Sequence, residues 1–150
     1  MSVKKFFKHI FTVLLIVSCM LTSSVVNAEE NLEQKIQTLS EDIKNNPNNA
    51  ELYKERGQVY GNLQKYEQAI QDFNKAIKLN PNYAEAYNNR DIAYALLENL
   101  KQAIEDFSKA IELEPTSQRY QNRGTCYQEL GDEVKSQADF QKANQLNQKN

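Results

Sequence analysis

Residues 50–83 read AELYKERGQVYGNLQKYEQAIQDFNKAIKLNPNY, and residues 84–116 read AEAYNNRDIAYALLENLKQAIEDFSKAIELEPT. Laid one over the other, they repeat. Tyr60 meets Tyr94, Ala69 meets Ala103, Phe73 meets Phe107 and Ala76 meets Ala110, each 34 residues on. Pro47, Pro81 and Pro115 are the chain's only prolines and keep the same spacing. One further shift, of 33, brings Tyr127, Phe140 and Ala143 into register, with the missing residue assigned to the turn after Pro115. A fixed period of this size marks stacked supersecondary units, each burying its apolar face on its neighbours.

Each unit reads as two helices. Tyr53, Val59, Tyr60 and Leu63 make one apolar stripe at helical spacing. A break follows at Gly61, Gln64 and Lys65. Tyr66, Ala69, Ile70, Phe73, Ala76, Ile77 and Leu79 then make a second stripe, which Asn80-Pro81 ends because proline disfavours helix for the residue before it. The second unit repeats this with Tyr87, Ala93, Tyr94 and Leu97, then Leu100 to Leu113, and the third spans Ser117 to Leu146. Small residues stand where antiparallel helices must approach, and large aromatics fill the space between them.

The pattern Tyr53…Gly57-x-x-Tyr60…Ala69-x-x-x-Phe73-x-x-Ala76…Pro81 resembles the tetratricopeptide repeat, with Tyr in place of the usual Trp, over Ala50 to about Leu146. The resemblance implies an all-α fold, an α-solenoid of helix-turn-helix repeats that binds a protein or peptide in a concave groove lined by the first helix of each unit. The expected divisions are a leader (1–28), a capping helix and turn (29–49), and repeats at 50–83, 84–116 and 117–150. Leu32, Ile36, Leu39 and Ile43 form the stripe of the cap. At the other end Glu133, Gln137 and Asn144 replace the apolar residues of earlier units, so the last helix has a polar outer face and a monomer is expected.

Carried over residue by residue, the family geometry puts Lys54, Glu55, Gln58 and Asn62 of the first unit on the groove. The second contributes Asn88, Asn89, Ile92, Ala95 and Leu96; the third, Gln118, Gln121, Asn122, Thr125 and Gln128. Lys54 and Asn89 match family members that clamp a peptide's terminal carboxylate, but Gln58, Gln118 and Asn122 depart from them. The face offers side-chain amides, able to donate to and accept from a peptide backbone, and an apolar spot at Ile92 and Leu96.

Three further features stand apart from the family pattern. Arg56, Arg90 and Arg123 each lie 16 residues before Asp72, Asp106 and Asp139, so antiparallel helices would bring each pair face to face. Such a clasp adds ~0.2–1 kcal/mol where it is exposed. An anion-binding arginine row is the alternative. Asp91 occupies the slot held by Gly57 and Gly124, where a carboxylate costs stability unless it finds a donor or tilts into solvent. A tolerated, partly exposed side chain is expected, against a local shift of the middle unit. Cys126, aligned with Val59 and Ala93, reads as a small buried filler.

The first 28 residues differ from the rest. Lys4, Lys5 and Lys8 precede an apolar run from Ile10 to Leu21, and no acid appears before Glu29. With Val26-Asn27-Ala28 as a small-residue exit, this describes a secretory signal peptide; the apolar run falls short of the ~20 residues of a membrane span. Two alternatives stay open: a retained anchor, and lipidation at Cys19, since Ile16-Val17-Ser18-Cys19 resembles a bacterial lipobox. Cleavage after Ala28 would leave a periplasmic or secreted chain with 15 basic and 20 acidic groups, no His and one Cys. That inventory points away from acid–base or metal catalysis and from nucleic acid. No enzyme activity, cofactor, metal or small-molecule substrate is expected.

Overall fold

The computed structural model describes residues 27–148, which hold seven helices and no strand. The chain divides into residues 1–35 and 36–150. The helix α1, residues 27–45, has its first nine residues in the former unit and the rest in the latter. The leader expectation falls on residues outside those described, apart from Asn27 and Ala28.

In the second unit α1 is followed by three antiparallel pairs: α2 (Ala50–Asn62) with α3 (Tyr66–Leu79), α4 (Ala84–Leu96) with α5 (Leu100–Leu113), and α6 (Ser117–Glu129) with α7 (Glu133–Asn147). Asn49 starts α2 by accepting from the Glu51 N–H at 3.0 Å, and Thr116 does the same for α6 from Arg119 at 3.3 Å. These caps satisfy amide groups that the first helical turn leaves without partners. Within each pair the chain reverses through a residue with positive φ: Gln64 and Glu98 at 58°, Gly131 at 78°. Glycine takes this left-handed conformation without steric penalty; in the first two repeats the turn imposes it on side chains.

The core is a row of small and aromatic residues. Ala69, Ala76, Ala103, Ala110 and Ala143 are wholly buried, with Phe73 and Phe107 wedged between helices. Ile43 of α1 joins Tyr53, Ala76 and Ala86 in one buried cluster, so α1 packs against the first two repeats. A second cluster unites Ala103, Phe107 and Cys126 across the middle and third pairs. On α7 the stripe is gone: Glu133, Gln137 and Asn144 are all exposed.

Candidate functional site

The three arginines of the first helices grip the aspartates of the second helices. Arg56 donates to both Asp72 oxygens at 2.8 and 2.7 Å, Arg90 to both of Asp106 at 2.6 Å, and Arg123 to both of Asp139 at 2.7 and 2.8 Å. All three carboxylates are at least nine-tenths buried, and the guanidinium groups are four-fifths buried. The magnitude for exposed pairs therefore does not apply. Bidentate geometry combined with burial makes each pair costly to break from one side. The Asp72 hydrogen bonds raise the Arg56 pKa, and those of Asp139 raise that of Arg123.

Each guanidinium has a third attachment that sequence reading did not anticipate. Arg56 donates to the Ser40 hydroxyl at 3.0 Å, Arg90 to the Asn74 amide oxygen, and Arg123 to the Ser108 hydroxyl at 2.9 Å. Ser40 lies on α1, Asn74 on α3 and Ser108 on α5, so every arginine reaches back to the helix that precedes its own. Tyrosines flank it on its own helix: Tyr53 and Tyr60 at 6.0 and 5.9 Å from Arg56, Tyr87 and Tyr94 at 5.5 and 5.9 Å from Arg90, Tyr120 and Tyr127 at 5.7 and 5.9 Å from Arg123. Positions 40, 74 and 108 keep the 34-residue period; acceptor-bearing residues at that spacing were the available signal.

The glycine slot explains why Asp91 matters. A Cβ at Gly57 would stand 2.6 Å from the Phe73 ring, and one at Gly124 would stand 2.9 Å from Phe140. Asp91 has a Cβ there, and the expectation that it tilts into solvent is wrong: the side chain is fully buried, with neither carboxylate oxygen hydrogen-bonded. It stays inside the array, within reach of the charges of Asp106 on α5 and Arg119 on α6. Burial, then the charge of Asp106, pushes its pKa up to about 9, against the opposing pull of the Ile92 N–H, Arg119 and Arg90. The group is a neutral acid at pH 7.

Lys54 also departs from its expected place as an open groove cation. It is 8% exposed and lies between two carboxylates, Glu51 at 2.5 Å on its own helix and Glu85 at 3.4 Å on α4. Burial works against its charge, but Glu51, Tyr83 and Glu85 more than compensate and hold the ammonium above its ordinary pKa. The Tyr83 hydroxyl donates to Glu51 and is pushed up to about 12, chiefly by burial. The cation is thus a strut between the first two repeats.

The remaining groove candidates are variously open. Ile92 and Leu96 are 40% and 56% exposed, an apolar pair one helical turn apart on the middle first helix. Gln58, Asn62, Gln118, Thr125 and Gln128 are exposed; Glu55, Asn88, Asn89, Ala95, Gln121 and Asn122 are half-buried. Gln118 and Asn122 are spent on each other at 2.8 Å, Thr125 donates to the Gln121 carbonyl at 3.1 Å, and the Asn89 amide nitrogen is buried without a partner. Cys126 is a buried free thiol that burial pushes up to about 11. No group of three or more His, Cys, Asp or Glu side chains converges to hold a metal among the described residues.

Comparison with known proteins agrees with this architecture. One solved structure of MamA is 28% identical, covering 76% of this chain and 67% of its own, with a TM-score of 0.74. Another MamA structure is 27% identical over 79% of this chain and 65% of its own, with a TM-score of 0.75. The chain therefore spans about two thirds of the length of these structures. The Arabidopsis OM64 TPR domain is 31% identical, with 67% of this chain and 84% of that domain covered and a TM-score of 0.63. No curated protein matches the chain. Residues 50–83, 84–117 and 117–150 each match the tetratricopeptide repeat. An uninterrupted run of three such units, stacked as paired helices, makes this chain a member of the tetratricopeptide repeat family, a protein-interaction scaffold.

Proposed function

We propose that the protein is an exported, non-catalytic adaptor that holds a segment of a partner protein against the face formed by α2, α4 and α6. The observation that carries this reading is the pair Ile92 and Leu96. Large apolar side chains left open on the middle first helix, among side chains rich in amides, suit a chain that supplies both backbone polar groups and an apolar anchor. A triple substitution, Asn88→Ala, Asn89→Ala and Ile92→Ser, is expected to abolish capture of the partner by the immobilised full chain while leaving the helical circular dichroism intact. Undiminished capture would move the site elsewhere.

Export rests on the leader pattern before Glu29, and tethering through Cys19 is the alternative that Ile16-Val17-Ser18-Cys19 favours. Intact mass and N-terminal sequencing of the protein from soluble and membrane fractions separate them. A start at Glu29 in the soluble fraction supports the free adaptor; a lipid-modified start at Cys19 supports a scaffold at the envelope membrane.

A further inference from the structure

The expected clamp cation is already occupied, and this decides what charge the face presents. Lys54 lies within 2.5 Å of Glu51 and 3.4 Å of Glu85 and is nearly buried, whereas the two glutamate side chains are 49% and 62% exposed. Glu55, one helical turn beyond Glu51, adds a third carboxylate to the same side of α2. One enclosed ammonium is thus shared between two carboxylates that face water, with Glu55 a further acid on the same side of α2. Lys54 is the one cation among the residues assigned to this face. A partner's terminal carboxylate would meet repulsion here.

The apolar pair is placed at a defined distance from this acidic end. Glu85, Asn88, Asn89, Ile92 and Leu96 follow one face of α4, and Ile92 lies seven residues from Glu85. At the rise of a helix that is about 10 Å. An extended chain covers the same span in about three residues.

We propose that the segment held on this face is basic and apolar: a lysine or arginine seated against Glu51, Glu55 and Glu85, and a large apolar side chain seated on Ile92 and Leu96. The two determinants would be about three residues apart in an extended partner, or about seven in a helical one. This rests on the reading of the α2–α4–α6 face as the binding face and adds the chemistry of what binds there. Charge complementarity supplies register and speed of encounter, and the apolar contact supplies residence time.

The test is an array of 15-residue peptides of randomised sequence, probed with the full chain. The parent is compared with Glu55→Gln/Glu85→Gln and with Ile92→Ser, each checked by thermal melting. Enrichment of peptides with Lys or Arg at the stated spacing from Leu, Ile, Phe or Met is the expected result. Affinity for them should fall about tenfold in each variant, and added salt should weaken the parent more than the glutamine variant. Capture of acidic or carboxylate-ended peptides, lost in Ile92→Ser, would overturn the basic-partner proposal and leave the binding face standing. Capture indifferent to all three substitutions, or no capture, would overturn both.

Discussion

The buried carboxyl of Asp91 makes the stability of the whole chain sensitive to pH. Its pKa is about 9 in the folded protein against an ordinary 3.8, so the folded chain keeps a proton that the unfolded chain gives up. For a group raised on folding, stability is fully present below the unfolded value and is lost progressively as pH climbs to the folded one. Its melting temperature is therefore expected to fall between about pH 4 and pH 9. Asp91→Gly should raise the melting temperature at pH 8 by about 5 °C or more and flatten that part of the profile; an equal or lower value would dismiss the strain. The clasps contribute through paired geometry. Asp72→Ala strands the Arg56 guanidinium, at a cost of about 3 kcal/mol in urea unfolding, and the double substitution Arg56→Met/Asp72→Leu should recover most of it. The clasp partners were legible because the 16-residue separation recurs three times and a helical hairpin dictates what faces what. The burial of Asp91 and of Lys54 was not. Lys54 depends on Glu85 of the following repeat, and Asp91 feels Arg119 of the repeat after its own; such influences lie outside any single unit's pattern.

Among the helices, α2 carries two glycines with opposite meanings. Gly57 faces the Phe73 ring, and a methyl group there would sit 2.6 Å from it; Gly61 has open space around its Cβ position. Gly57→Ala is expected to destabilise by about 1–3 kcal/mol through overpacking. Gly61→Ala should stabilise by about 0.5–1 kcal/mol through helix propensity alone. Equilibrium urea unfolding reads both, and equal effects would mean that the close approach of α2 and α3 is not what selects glycine. Helix α7 makes the complementary case. Its inner residues Ser136, Asp139 and Ala143 are buried, whereas Gln137 and Asn144 stand in water where α3 and α5 carry isoleucines. Restoring the stripe with Gln137→Ile/Asn144→Ile should make the chain associate with rising concentration, as sedimentation velocity would show. The helix positions were readable from the apolar period, and their ends from Asn80-Pro81 and its counterparts. The left-handed turn residues Gln64 and Glu98 were not, since neither residue type announces a positive φ.

For the molecule as a whole, the tie from each arginine to the helix before it has a consequence for how the array can change length. Ser40, Asn74 and Ser108 play the same part for Arg56, Arg90 and Arg123, and side chains of two kinds serve equally as acceptor. The joints are therefore interchangeable. Excision of residues 84–116 would bring Ser117 directly after Tyr83 and present Arg123 to Asn74, the acceptor that now serves Arg90. Stability in such an array is a sum over units and their nearest-neighbour seams. The shortened chain is expected to fold, at a lower melting temperature than a simple loss of one unit would leave only if the Lys54–Glu85 strut matters more than the removal of Asp91 helps. A joint that accepts either neighbour lets this chain gain or shed a whole rung in one event without losing an arginine tie.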